Sequence, residues 1–207
     1  VGDGKVEIVP NNPRKPLAFY KWVAPNQFEK YAVFETQGHG LGFGDINGDS
    51  RGDLISSFGW YEAPPSLRNG KWIFHPTFEL GDVSIPIIVT DLNGDKMNDL
   101  IVGNGHGYGL FWMEQQRDAD DKITFKKHDI DPNHAQYHVL EWIDLDGDGQ
   151  NELIAGKRYR AHNGKDPGGN DEIGLYYFEW NGESFVKNVI SYGPFGEGKG
   201  TGLYFST

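Results

Sequence analysis

Hydrophobic residues in this chain occur in short runs that are separated by polar segments rich in glycine and proline. Typical runs are Leu54-Ile-Ser, Leu100-Ile-Val-Gly and Leu153-Ile-Ala. Short apolar runs bounded by turn-forming residues are typical of β-strands, and no long segment repeats its apolar positions every 3.6 residues. The pattern therefore predicts an all-β chain with almost no helix.

The polar segment before each of these runs is a nine-residue loop with one repeated pattern. Residues 45–53, 91–99 and 144–152 carry acidic or amide side chains at loop positions 1, 3, 5 and 9, and glycine at position 4. Glycine permits a sharp bend, and hard oxygen ligands at alternate positions of a tight turn suit Ca²⁺ better than softer metals. The pattern predicts three structural calcium sites. With the backbone carbonyl at position 7 included, the predicted ligands are Asp45, Asn47, Asp49, Arg51, Asp53, Asp91, Asn93, Asp95, Met97, Asp99, Asp144, Asp146, Asp148, Gln150 and Glu152.

These loops differ from EF-hand loops, in which the closing acid stands at position 12 between two helices. Here the closing acid stands at position 9 and a strand-like run follows it. The alternative interpretation is a hairpin turn without metal, because Asp, Asn and Gly are common in turns. The recurrence of all four ligand positions in three loops favours calcium.

The spacing of the loops predicts the architecture. A partial loop in residues 1–7 places Asp3 and Glu7 at positions 5 and 9, so the position-5 acids fall at 3, 49, 95 and 148. This repeat length is that of a four-stranded propeller blade, so we expect residues 1–207 to form one β-propeller segment of about four blades. Because Gly202-Leu-Tyr-Phe matches the Gly40-Leu-Gly-Phe that precedes the first complete loop, we expect further blades of the same propeller as partners.

The net charge of the chain limits the kinds of partner that it can bind and indicates where the protein is found. A formal net charge of −11 argues against nucleic-acid binding and against membrane insertion. Much of the acidity lies in the predicted loops, where three Ca²⁺ ions would neutralise about half of the net charge. Loops of this kind need the millimolar Ca²⁺ found outside cells, which predicts a secreted, extracellular or periplasmic protein. The absence of cysteine excludes disulfides and Cys-ligated zinc.

The loops, the preceding Gly42-Phe-Gly44 and the apolar strand that follows resemble the FG-GAP or VCBS repeat. This repeat is the calcium-loop blade of integrin alpha subunits and of many secreted proteins. The resemblance covers essentially the whole chain and implies a β-propeller of seven blades. It does not choose between adhesive, lectin and enzyme functions, since the fold serves all of them.

A narrower similarity lies in three segments: Gly38-His-Gly-Leu-Gly-Phe-Gly-Asp45, Gly59-Trp-Tyr-Glu-Ala-Pro64 and Gly156-Lys-Arg-Tyr-Arg-Ala-His-Asn-Gly-Lys-Asp-Pro-Gly-Gly169. These segments resemble the propeller of aldos-2-ulose dehydratase-type proteins, which are sugar lyases and isomerases. The resemblance implies a carbon-oxygen lyase acting on keto-sugars. The cupin-like domain of those proteins has no counterpart in this sequence.

Blade geometry sorts the histidines onto one face. Strands in a blade alternate in direction, so the loops from second to third strands, and the segments leading into first strands, lie opposite the calcium loops. His39 and His138 lie near first strands, whereas His106 and His162 lie in second-to-third-strand loops. We expect these four side chains to converge near the central axis. His75 and His128 fall on outer strands and are interpreted as structural, and His134 stays ambiguous.

Three interpretations of the four histidines are open. Each side chain could satisfy a local turn, the set could hold a second metal such as Zn²⁺ or Mg²⁺, or the imidazoles could act in acid–base catalysis. The long loop in 156–174 adds several cations and a tyrosine, although a solvated mobile loop is its alternative interpretation. The catalytic candidates are His39, His106, His138, Arg158 and His162. The candidate substrate-binding residues are Trp60, Lys157, Tyr159 and Arg160.

Two classes of function follow from these residues. A secreted calcium-binding propeller module with a carbohydrate-directed site on the histidine face needs only a shaped polar surface. A metal-assisted sugar lyase, dehydratase or isomerase needs a converging acid and base as well. The sequence favours the module, with a carbohydrate or sugar-derived small molecule as its ligand, and leaves catalysis undecided.

Overall fold

The computed structural model describes residues 6–67 and 70–202. These residues form fifteen β-strands and a short 3₁₀ turn at Ala161–Gly164, and they contain no α-helix, as the hydrophobic pattern predicts. The strands are β1 (Glu7–Ile8), β2 (Leu17–Ala24), β3 (Gln27–Phe34), β4 (Leu41–Gly44), β5 (Asp53–Ser56), β6 (Gly59–Glu62), β7 (Ile73–His75), β8 (Ile88–Thr90), β9 (Asp99–Gly103), β10 (Tyr108–Arg117), β11 (Ile123–Ala135), β12 (Tyr137–Ile143), β13 (Glu152–Lys157), β14 (Ile173–Trp180) and β15 (Phe185–Gly193).

The strands form four antiparallel sheets that follow one another along the chain. β1, β2 and β3 form a three-stranded sheet, and the next three sheets each have four strands in sequence order, β4 to β7, β8 to β11 and β12 to β15. This meander is the blade that the loop spacing predicts. Of the partial loop in residues 1–7, Asp3 lies outside the described residues, and Glu7 begins β1.

Neighbouring sheets share their hydrophobic cores, because side chains alternate between the two faces of a strand. In β9, Leu100 and Val102 pack towards the preceding sheet, whereas Ile101 packs towards the following one. A third core joins the first sheet to the second around Phe19 and Trp72. Each sheet is therefore buried against its neighbours in the chain, as blades of a propeller are.

The first strands of the four-stranded sheets lie side by side. Ile87 donates its amide to the carbonyl of Leu41 at 2.8 Å, and the amide of Ile85 reaches the carbonyl of His138 at 3.0 Å. A Cβ atom at Gly42 would lie 2.6 Å from the carbonyl oxygen of Ile87, so only glycine permits this approach. The predicted blade order is confirmed. A closed ring and a total of seven blades stay predictions.

The outer strands carry a repeated pair that explains two histidines. His75 stacks on Trp60 and contacts Glu62 at 3.0 Å. The next sheet repeats the arrangement with His128 on Trp112 and with Glu114 at 2.8 Å. In the last sheet Asn188 stands opposite Tyr177 and donates to Glu179. The interpretation of His75 and His128 as structural residues is confirmed.

Asp131 is a buried acid that joins the third and fourth sheets. Only 5% of the residue is exposed, and it accepts hydrogen bonds from Tyr137 at 2.7 Å, from Lys187 and from His134. Burial alone would raise the pKa of Asp131, but these three donors outweigh burial and hold the pKa well below its ordinary value. His134, which the sequence left ambiguous, belongs to this cluster.

Asp131→Asn should therefore destabilise the protein in a pH-dependent way. Because the folded-state pKa is depressed, the carboxylate stabilises the fold above the ordinary value of 3.8 and loses this effect as the pH falls further. We expect a loss of about 3–5 kcal/mol at pH 7, since the change leaves Lys187 unpaired. Urea denaturation of both proteins from pH 7 to pH 3 measures it. A stability difference that does not narrow below about pH 4 contradicts the assignment.

Candidate functional site

The three calcium-type loops lie at one edge of the sheets, each between the first and second strand of its blade. All three use the same hydrogen bonds. The position-1 acid accepts backbone amides from positions 4 and 6, as Asp91 does from Gly94 at 2.8 Å and Lys96 at 3.0 Å. The position-5 acid accepts the amide of position 7, as Asp95 does from Met97 at 2.8 Å. This network preforms the turn that places side-chain oxygens at alternate positions.

The acid at position 9 ties each loop to its blade. Asp99 is fully buried and accepts the amide of Leu92 at 3.1 Å and that of Gln115 at 2.8 Å. Asp53 makes the same pair of bonds to Ile46 and Ala63. Burial raises the pKa of both carboxyl groups to about 6, and the neighbouring loop carboxylates add to this effect. A bound cation would relieve this accumulation of negative charge.

Two of the loops differ in detail. In the loop at 144–152, Asp144, Asp146 and Glu152 offer carboxylate oxygens within 4.8 Å of one another. In the loop at 45–53, the Arg51 guanidinium contacts Asp49 and lies 3.7 Å from Glu62. The side chain of Arg51 therefore already pairs with one predicted ligand. Only the backbone carbonyl of Arg51 was predicted to bind the ion.

On the opposite edge the structure brings the four predicted histidines together. His39 precedes β4, His106 lies between β9 and β10, and His138 is the second residue of β12. The ring of His106 lies 4.7 Å from that of His39, and 5.7 Å from that of His138. His162 stacks on His106 at 4.8 Å. His39, His106 and His138 offer ring nitrogens that all lie within 4.8 Å of one another.

Hydrogen bonds fix the orientation of two of these rings. His39 Nδ1 lies 2.8 Å from the carbonyl oxygen of Val83, which can only accept. His106 Nδ1 lies 3.0 Å from an Asp166 carboxylate oxygen, which also accepts. Both Nδ1 atoms therefore carry hydrogen, and the two Nε2 atoms face each other at 3.3 Å. In the neutral rings, two lone pairs then point into the same small space.

Burial and a nearby cation lower the pKa of two of these histidines. Burial, followed by the charge of Arg158, lowers the pKa of His138 to about 4. The same two causes lower the pKa of His106. His138 Nδ1 is buried and has no hydrogen-bond partner among the described residues. Neutral imidazoles with free nitrogens are the form that binds metal ions.

Arg158 and Asp166 complete the cluster. The Arg158 guanidinium donates to the carbonyl of Gly105 at 3.0 Å and lies 3.7 Å from Asp166. Its Nε is buried without a partner in the part of the chain that the structure describes. Asp166 also accepts from His162 Nδ1 at 3.0 Å. These contacts hold the long loop between β13 and β14 against the histidines.

The predicted substrate-binding residues do not gather at this cluster. Trp60 is only 2% exposed, packs in the core shared by the second and third sheets, and stacks on His75. The prediction that Trp60 offers a face to a sugar is therefore wrong. Lys157 is buried and its ammonium donates to the carbonyl of Gly168, so it braces the loop. Tyr159 stacks on Phe195 at 5.1 Å, and Arg160 is exposed.

Sequence reasoning did not give Asp166 its place in the cluster. The residue lies four positions after His162 in a loop without a regular pattern. The loop turns through left-handed backbone at Arg160, His162 and Asn163, with φ of 53°, 49° and 59°. This geometry brings Asp166 back over His106. No short-range pattern predicts such a turn.

Comparison with known proteins gives one match. Residues 91–155 match the family model described as FG-GAP-like repeat. The matched segment begins at the first residue of one calcium-type loop, runs through β9 to β12, and ends in β13 beyond the next loop. The chain matches no curated protein. Among the described residues, no helix has the length and apolar character needed to cross a membrane. The match supports the FG-GAP repeat family for the segment 91–155.

Proposed function

We propose that this chain is part of a secreted, calcium-braced β-propeller module that holds a divalent transition-metal ion on the face opposite its calcium loops. The ligand of that face is a sugar or another oxygen-rich small molecule. The observation that carries the proposal is the pair of Nε2 atoms of His39 and His106, which face each other at 3.3 Å.

The distance fits a metal ion closely. Two nitrogens bound to one tetrahedral Zn²⁺ at about 2.0–2.1 Å lie about 3.4 Å apart. Each ring also donates its other N–H to an oxygen acceptor, which is how metal-ligating histidines are usually oriented. Since Mg²⁺ prefers oxygen ligands, the imidazole set favours Zn²⁺, Co²⁺ or Ni²⁺ over Mg²⁺.

Three histidine ligands leave a coordination position for the small molecule. Arg158 adds a buried guanidinium with an unused Nε beside the cluster, so it can hold a second ligand oxygen. A vicinal diol or a hydroxy-ketone matches two such oxygen-seeking groups. This arrangement supports a carbohydrate ligand. It does not need an aromatic face, and Trp60, which is buried, offers none.

A sugar lyase is the second candidate, and the His162–Asp166 pair favours it. His162 Nδ1 lies 3.0 Å from Asp166, and its side chain is 60% exposed, so the ring can reach a bound molecule. In this reaction His162 removes the proton next to the carbonyl, and the carbonyl oxygen takes the electron pair beside Arg158. The returning pair expels the β-hydroxyl, which takes the proton that His162 has removed and leaves as water. A metal ion would supply Lewis acidity at the carbonyl oxygen.

His106→Ala should abolish binding of one transition-metal ion. We expect the unaltered protein to bind one equivalent of Co²⁺ with the visible absorption of a four-coordinate ion, and the variant to bind at least about 100-fold more weakly, because one of three ligands is lost. Asp166→Asn should weaken binding by about 10–100-fold by loosening the His106 ring. Calorimetry and absorption spectra measure both effects.

His128→Asn is the matched control for these variants. It changes another histidine to the residue that the last sheet carries at the equivalent position, Asn188. Its cobalt affinity should equal that of the unaltered protein. Equal affinity in His106→Ala would contradict the metal site, as would preferential binding of Mg²⁺.

His162→Ala separates catalysis from binding. If the lyase proposal holds, the metal-loaded protein converts keto-sugars into an enone that absorbs ultraviolet light, and the variant loses this turnover by about 10²-fold or more while it still binds cobalt. The time course of ultraviolet absorbance measures the reaction. If the unaltered protein binds the sugar but does not convert it, the lyase proposal is wrong and the carbohydrate-binding module stands.

Calcium should stabilise the fold through the three loops. Because an ion bound only by the folded state adds stability, about 2.7 kcal/mol at 100 times Kd, removal of calcium with a selective chelator should lower the melting temperature. Asp95→Ala should abolish one equivalent of bound Ca²⁺ and lower the midpoint. Asp120→Ala removes an exposed acid from a turn outside the loops and should change neither. An unchanged midpoint on chelation would contradict the proposal.

A further inference from the structure

A second polar cavity lies beside the histidine cluster, at the end of β13. Its volume is about 400 Å³. Its lining includes His134, Lys157, Glu172, Tyr176 and Tyr192. A volume of this size lies within the range of small-molecule sites.

The end of β13 separates this cavity from the histidines. Lys157 and Arg158 are consecutive, and their side chains point to opposite sides, as in an extended strand. Arg158 reaches the carbonyl of Gly105 beside the histidine cluster, whereas Lys157 lines the cavity. The two sites are therefore distinct, although the loop between β13 and β14 borders both.

Tyr176 gives the cavity an unsatisfied polar group. The residue is only 2% exposed, and its hydroxyl has no hydrogen-bond partner among residues 6–67 and 70–202. A Cβ atom at position 174 would lie 1.9 Å from this hydroxyl, so Gly174 leaves the space that the ring occupies. Buried polar groups are normally paired, and a ligand hydroxyl would supply the missing partner.

The other lining groups restrict the chemistry of that ligand. The charge of Lys157 would repel a cationic ligand, whereas the charges of Asp171 and Glu172 would repel an anionic one. Asn133 and Asn170 both donate and accept hydrogen bonds, which suits hydroxyl groups. Tyr192 is half exposed and offers an aromatic ring at the cavity wall. Neutral, polyhydroxylated molecules match this combination of polar groups and one aromatic face.

We propose that this cavity binds one neutral sugar unit, with the Tyr176 hydroxyl and the Asn170 amide on sugar hydroxyls and the ring against Tyr192. The site deepens the proposed carbohydrate function by giving it a second location. It does not depend on a metal ion at the histidines.

Tyr176→Phe tests the proposal, because it removes only the unpaired hydroxyl. We expect at least one of glucose, galactose, mannose, fucose and N-acetylglucosamine to show saturation-transfer signals and a measurable Kd with the unaltered protein. The variant should bind that sugar at least about 10-fold more weakly, yet melt at the same temperature or higher, because the unpaired hydroxyl costs stability in the free protein. Glu172→Gln, which keeps the shape of the side chain, should also weaken binding.

Two controls test whether a loss of sugar affinity is specific to this cavity. Tyr108→Phe removes an exposed hydroxyl that contacts Asp171 from outside the cavity lining, and it should leave sugar affinity unchanged. His128→Asn changes an outer-strand histidine that belongs to neither site, and it should also leave sugar affinity unchanged. Tyr176→Phe should still bind cobalt, which distinguishes this site from the histidine cluster. Unchanged sugar affinity in Tyr176→Phe would overturn the proposal, and so would the absence of binding by every sugar in the panel.

Discussion

One buried acid at the end of each calcium-type loop determines how the loop is joined to its blade. Asp99 receives one amide from the start of the loop, at Leu92, and another from the third strand, at Gln115. A single carboxylate therefore connects the first and third strands across the second. Ionisation of this carboxyl group is unfavourable without a cation, because its burial beside other carboxylates raises its pKa to about 6. The carboxylate that joins the loop to its blade is therefore also the group on which negative charge accumulates.

The sequence was informative where geometry repeats. The loop pattern and its spacing predict four-stranded blades, and strand alternation predicts that His39, His106 and His138 share one face. These inferences need only the direction of each strand. They do not depend on where a side chain points within a sheet.

The sequence does not predict the position of a side chain where that position depends on strand register to within one residue or on a long irregular loop. Trp60 lies in a strand, and a shift of one position moves a side chain from one face of a sheet to the other. The strand pattern does not show which face packs against the next blade. The position of Asp166 depends on left-handed residues in a long loop. None of these features has a local sequence period.

The three histidines come from three different sheets. His39 leads into the second sheet, His106 lies in a loop between two strands of the third, and His138 is the second residue of the first strand of the fourth. No single repeat carries a working set of nitrogens, so the cluster exists only where three consecutive repeats have docked in the correct order. Repeat proteins gain and lose units readily, since each unit contacts mainly its neighbours. An insertion or deletion of one unit here would separate these side chains even if every remaining unit folded, so the cluster requires these three repeats in this order.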